Sequence, residues 1–429
     1  MSRVIALCFL LLAGVVGFMH IYSRPVWSSF SISKVESVVS EELAPPAHST
    51  NHHLVAASKS KVISQPVIPN PVANWLPDTG AASVHAASLI ALKDGAIRAF
   101  WFAGSREGAP DVVINTAVFD PKANAWAAPT VVIDRATAEQ GLSRYIAKLG
   151  NPVPARMADG RLQLFFVTVS IGGWAGSSIS SLISDDEGLT WSRPQRLITS
   201  PLMNLSTLVK SPAVLFVDGR LGLPAYHEWI GRFGEFLRIQ DAQVIDKRRM
   251  SSGRAAIQPV LFINTPYDAT AYFRQMRSSG LPKQIPVSQT QDAGQRWRGA
   301  LDLDIPNPNS AIAGLALNNG AHVLALNNIE AGRHRLVLMM SNPQSGEWHM
   351  IQTLENEEAL PDQERKEFSY PYLISANGND AHLVYTWDRK RIRHLYFSGA
   401  WLDRAYDQLR QLNSEKASEI AANSKEEAK

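Results

Sequence analysis

The sequence predicts an all-β propeller of six blades carried by residues 73–402. Two observations lead there. An apolar run, a turn and a second apolar run recur six times, and a Ser/Thr-x-Asp-x-Gly turn ending in Trp recurs among them. The turns, ending at Trp126, Trp191, Trp297 and Trp348, keep a period of roughly 50 residues, the length of a four-stranded blade.

The hairpins run in order from Ser83 (SVHAASLIALKDGAIRAFWFAG), Leu149 (LGNPVPARMADGRLQLFFVTV), Leu208 (LVKSPAVLFVDGRLGLPAYHE), Arg254 (RAAIQPVLFINTPYDATAYFRQM), Asn309 (NSAIAGLALNNGAHVLALNNI) and Phe368 (FSYPYLISANGNDAHLVYTWD). Asp-Gly or Asn-Gly closes all but the fourth, which has a longer turn. These dipeptides supply the positive φ that a tight hairpin requires. In the turn Ser184-Asp185-Asp186-Glu187-Gly188-Leu189-Thr190-Trp191, Asp bonds its own backbone, Gly takes a positive φ, and Thr-Trp restarts an extended segment. Thr290 to Trp297 repeats it, Ser341 to Trp348 keeps only Ser, Gly and Trp, and a faint fourth copy ends at Trp126.

The flanks read differently. Val4 to Met19 is an uncharged 16-residue run between Arg3 and Arg24, read as an uncleaved membrane anchor over 1–24, with a cleaved signal peptide as the alternative. Either places the rest outside the cytoplasm, in the cell envelope or periplasm or beyond it. The single cysteine, Cys8, lies inside that run, so no disulfide and no Cys metal site is expected. Residues 25–72, rich in Ser, Pro, His and Ala, read as a linker, and 403–429 as a charged helical or disordered tail. A net charge of +3 gives no ground for nucleic-acid binding. No cluster has metal-ligand spacing and no cofactor is implied, and the chain is expected to be a monomer.

The turn octapeptide, together with FAGSREGAPDV, AYHE, IPNPNSAI, FSYPYLI and YTWDRKRIRH, resembles the bacterial sialidase-like BNR-repeat, or Asp-box, family over residues 80–400. The resemblance implies a site around the propeller axis, with the Asp-boxes as structural turns away from it. It also implies an arginine clamp for a substrate carboxylate, a carboxyl acid/base, and a Tyr nucleophile activated by Glu. On the matching positions, Tyr370 is the nucleophile candidate, Glu228 its partner, and Glu107 stands in for the acid/base Asp, while by chemistry alone either Glu107 or Asp111, four residues on, is a candidate to carry the proton. Val84-His85-Ala86 replaces the family's Arg-Ile-Pro, so one arm of the clamp is missing or moved.

Blade geometry gives a second list. The starts of the innermost strands contribute His85, Asn151, Lys210, Arg254, Gln258, Asn309, Ser310 and Tyr370. The ends of the second strands contribute Arg106, Glu107, Asp111, Tyr226, His227, Glu228, Arg274, Arg277, Asn327, Asn328, Trp387 and Arg389, with Arg391 nearby. Polar groups converging on one face of an otherwise apolar body point to a ligand site. Arg forks bind carboxylates bidentately, so an acidic oligo- or polysaccharide is the expected partner. With the resemblance, the expected activity is that of an exo-sialidase-type retaining glycoside hydrolase. Two alternatives are a polysaccharide lyase using His85, Tyr226 or His227 as base against a uronate, and a glycan-binding propeller without catalysis.

Overall fold

The structure, a computed structural model, describes residues 2–22, 27–32, 71–200, 204–251, 253, 255–278, 280–341 and 346–411. Six antiparallel sheets form the blades. Their innermost strands are Ser83–Ala91, Lys148–Arg156, the broken pair Leu208–Val209 and Val214–Leu215, Ala256–Ile263, Ala313–Ala316 and Phe368–Ile374. Neighbouring blades pack through these strands, except that the third meets the fourth through Leu221–His227, and the sixth packs against the first, so the ring is closed.

Closure uses the start of the propeller. Val72–Trp75 pairs with Arg391–Phe397 and supplies the outer strand of the sixth blade. This strand lies outside the six hairpins of the sequence. Trp75 holds it in place, with the Arg391 and Arg393 guanidinium groups 4.1 and 4.4 Å from its ring centre and Trp387 at 5.8 Å.

The Asp-boxes are turns on the outer edges of blades. Gly188 N–H donates to Ser184 Oγ at 2.8 Å, and Asp186 accepts from Thr190 N–H at 2.8 Å and from its hydroxyl at 2.6 Å. Thr290 and Asp292 repeat the pattern. The terminal Trp then packs on the preceding blade: Trp191 on Phe100, Trp297 on Phe236 and Trp348 on Phe262. In this way the repeated turn stitches blade to blade. Glu187, the acid after Asp186 in this box, is bound by Arg156 at 2.8 Å and Lys93 at 3.3 Å.

Within the stretch composed like a linker, residues 27–32 lie against the propeller. Phe30 is buried, stacks on Phe216 and bonds through its N–H to the Pro266 carbonyl. Residues 399–411 form a helix whose Trp401, Leu402, Ala405 and Leu409 pack on the core between the fifth and sixth blades.

The anchor expectation is corrected. The apolar run lies in a helix, Ser2–Tyr22, but among the described residues no helix is long and apolar enough to cross a membrane. Its most apolar part, Val4 to Met19, rises about 24 Å as a helix, short of a hydrocarbon core of about 30 Å, and the extension to Tyr22 brings in the polar His20 and Tyr22. The localisation drawn from that anchor falls with it.

Candidate active site

Innermost strands carry a register break at one recurring place. It falls between His85 and Ser88, Gly150 and Val153, Ile257 and Val260, and Ser369 and Tyr372. A bulge leaves one residue unpaired and re-aims it. The residues so placed have positive φ: Ala86 (51°), Asn151 (44°), Gln258 (52°) and Tyr370 (52°), with Asn309 (62°) in the matching place of the fifth blade. Lys210 occupies the break in the third. Four blades therefore present a bulge residue, and Lys210 and Asn309 stand at the corresponding places of the other two. For the non-Gly residues this backbone costs of order 1–3 kcal/mol and persists only where the surroundings enforce it.

These residues meet. The buried Tyr226 hydroxyl accepts from Asn151 Nδ2 at 3.3 Å and Gln258 Nε2 at 3.2 Å. Arg274 Nε donates to Asn309 Oδ1 at 2.8 Å and Arg274 NH1 to Gln258 Oε1 at 3.3 Å. Lys210 Nζ donates to the Ile312 carbonyl at 2.8 Å and to the Pro371 carbonyl, tying the third blade to the fifth and sixth beneath Tyr370. The space left among Ala86, Asn151, Lys210 and Tyr370 is about 10 Å³, enough for about one water.

Electrostatics separate the members by role. Burial, reinforced by Tyr370 and Glu228, pushes the Tyr226 phenol well above its ordinary pKa, which keeps it neutral as a hydrogen-bonding hub. Burial raises the Glu228 carboxyl, against the pull of Arg274 and Arg232. Burial lowers the Lys210 ammonium to about 7, with Arg274 adding to it. His85 is lowered to about 4 by burial, with Glu107 opposing, and is neutral at pH 7. Its ring lies 4.4 Å from that of Tyr370, and neither buried ring nitrogen has a hydrogen-bond partner.

A chain of ion pairs crosses the mouth. Arg389 binds Glu107 at 2.6 Å and Glu367 at 3.3 Å, and Glu367 binds Arg333 at 3.1 Å. Arg333 also donates to the Asn309 carbonyl at 3.3 Å, which joins this chain to the axial cluster. Sequence reasoning missed Arg333 and Glu367. Both carry a signal in the sequence: Glu367 directly precedes the sixth hairpin, and Arg333 lies in the loop leaving the second strand of the fifth, beyond Asn327 and Asn328.

Other candidates lie elsewhere. Arg277 pairs with Asp302 and the Pro282 carbonyl. Arg391 is exposed on the outer side of the sixth blade, against Trp75. His227 Nε2 accepts from Ile230 N–H at 3.1 Å and its ring stacks on Phe233, so it caps a turn and makes no contact with His85. Asp111 is exposed and accepts from the Ser105 hydroxyl and N–H, which lower its pKa and fix its loop. Arg106 is exposed beside it. Arg254 lies outside the described residues.

Comparison with known proteins agrees with this architecture. Solved structures of similar fold include the Hadza microbial sialidase Hz136 (TM-score 0.60, 13% identity, 74% of this chain and 66% of that one). The K499G mutant of NanB sialidase from Streptococcus pneumoniae matches at TM-score 0.59 and 11% identity over 78% of this chain and 71% of that one. The intramolecular trans-sialidase from Ruminococcus gnavus matches at 0.57 and 13% over 75% and 95%. The chain thus spans 66% of the length of the first of these relatives. No curated protein sequence matches. The BNR repeat-like domain matches residues 95–383, more than half of the chain, and the protein belongs to that family.

Proposed function

We propose that the protein is a glycoside hydrolase that releases an acidic sugar from a glycan, with Tyr370 as nucleophile. One observation carries this reading: Tyr370 is held half-buried on the axis in a positive-φ bulge, in a polar cluster with Tyr226, Glu228 and Arg274. Arg274 is the arginine of that cluster whose hydrogen-bond partners are neutral amides, which leaves its charge for a substrate carboxylate. Glu228, with its raised pKa, takes the phenol proton as the Tyr370 oxygen bonds the anomeric carbon. The bond to the departing oxygen breaks, and Glu107, released from Arg389 and protonated from solvent as substrate binds, gives that oxygen a proton. Water, deprotonated by Glu107, then displaces Tyr370 from the sugar, and the phenolate regains its proton from Glu228. A phenol suits attack beside a carboxylate because it is neutral before it reacts.

The neutral His85 against Tyr370, with both nitrogens lacking partners, favours a second reading in which it removes a proton from a uronate and the polysaccharide is cut by elimination. A panel of sialosides and uronate polysaccharides read by mass spectrometry separates the two. Hydrolysis adds water, and elimination leaves an unsaturated product that absorbs in the ultraviolet. Loss of hydrolysis in Tyr370→Phe supports the first reading, and undiminished hydrolysis in that variant removes it.

A further inference from the structure

A pocket separate from the axis lies on the first blade, between residues 79–82 and the loop that carries Glu107. Its volume is about 480 Å³, within the roughly 300–1,000 Å³ of small-ligand sites. Thr79, Ala82, Ala103, Asp111, Asn115 and Val131 are among its walls.

Two features point to a ligand. Asn115 is 5% exposed and its buried Nδ2 has no hydrogen-bond partner, and the buried Thr79 hydroxyl on the facing wall has none either. Unpaired buried donors are costly, so a pocket that keeps two of them in its facing walls is built to meet an acceptor. The second feature is the balance of charge. No Arg or Lys lines the pocket, and its one ionic group is the Asp111 carboxylate. Each Asp111 oxygen takes one bond from Ser105, at 2.9 Å, and retains capacity for a further donor.

We propose that this pocket is a subsite for a neutral sugar ring. Asp111 accepts from ring hydroxyls, Asn115 Nδ2 and the Thr79 hydroxyl bond ring oxygens, and the Ala and Val walls meet the C–H face. Anions are disfavoured by the carboxylate, in contrast to the arginine-bearing mouth. Ser105 to Asp111 forms one wall of the pocket and also sets Glu107 at the mouth, so a neutral ring held here sits next to an acidic sugar held at the axis. That adjacency rests on the hydrolase reading, whereas neutral-sugar binding does not.

The test is saturation-transfer NMR on the full chain with galactose, glucose and N-acetylglucosamine as separate probes. At least one is expected to bind, and to weaken about tenfold or more both in Ala82→Trp, which fills the pocket from an exposed position, and in Asn115→Leu. Val131→Trp, on another exposed wall, replaces Ala82→Trp if that variant does not fold. Arg274→Ala is expected to keep the neutral-sugar signal, which separates failure of the axial reading from failure of this one. No binding of any probe by the unaltered protein, or binding that survives either the filling substitution or Asn115→Leu, overturns the proposal.

Discussion

Tyr370 and His85 meet with ring centres 4.4 Å apart across the seam where the sixth blade joins the first. Neither residue is near the other in sequence, and each comes from the innermost strand of its own blade. Their contact exists only because the ring closes, so the candidate nucleophile is positioned by the closure that Val72–Trp75 completes.

Trp75→Ala therefore tests fold and site together. It removes the ring against which Arg391, Arg393 and Trp387 pack. Loss of a partly buried aromatic is expected to cost about 1–3 kcal/mol in urea denaturation. Activity on any substrate found should fall further on warming than in the unaltered protein, because the seam is the first place to loosen.

Gly188→Ala should separate structure from function. Gly188 has φ +88°, and a Cβ there would lie 2.9 Å from Arg98 Nε, a buried side chain. Strain and contact together predict destabilisation of about 1–3 kcal/mol. At a temperature where the variant is fully folded, kcat should be unchanged, since the turn stands on the outer edge of its blade. A selective loss of kcat would place the Asp-box in the site.

Much of this was legible beforehand, for a physical reason. A bulge on the innermost strand recurs in blade after blade, so counting hairpins brought Asn151, Lys210, Gln258, Asn309 and Tyr370 to one place without knowledge of their chemistry. Strand parity and loop course were harder to read. Arg389 and Arg391 are two residues apart, yet the first, at positive φ in the turn, reaches Glu107, while the second enters the strand and turns to Trp75. Lys210 was expected to touch substrate, but its partners are two backbone carbonyls from other blades. Such partners are set by tertiary packing, which local sequence does not encode.

Stability should fall in acid. Burial lowers His322 and His382 to about 4, and burial with His382 lowers His394 to about 3. Each folded pKa lies below the unfolded value near 6.5. Stability is therefore full above about pH 6.5 and is lost as pH falls towards 4, where the unfolded chain takes up protons first. Each such histidine steepens the fall by at most about 1.4 kcal/mol per pH unit. Urea midpoints between pH 7.5 and 4.5 should drop, and His322→Phe should flatten the profile; an unchanged slope in that variant would remove His322 from this account.

Lys210→Met tests the strut beneath the nucleophile. The ammonium is buried, and the Pro371 carbonyl that it holds adjoins the Tyr370 bulge. Its folded pKa of about 7 lies below the unfolded value near 10.5. Between these values the unfolded chain binds more protons, so stability should rise with pH by up to about 1.4 kcal/mol per unit, and the variant should lack that slope. Met keeps the volume but leaves two carbonyls without their donor, a loss of about 1–3 kcal/mol. With Tyr370 less firmly set, kcat should fall while KM stays nearly constant, because the substrate carboxylate is assigned to Arg274. A variant that changed KM alone would show Lys210 acting on the substrate directly.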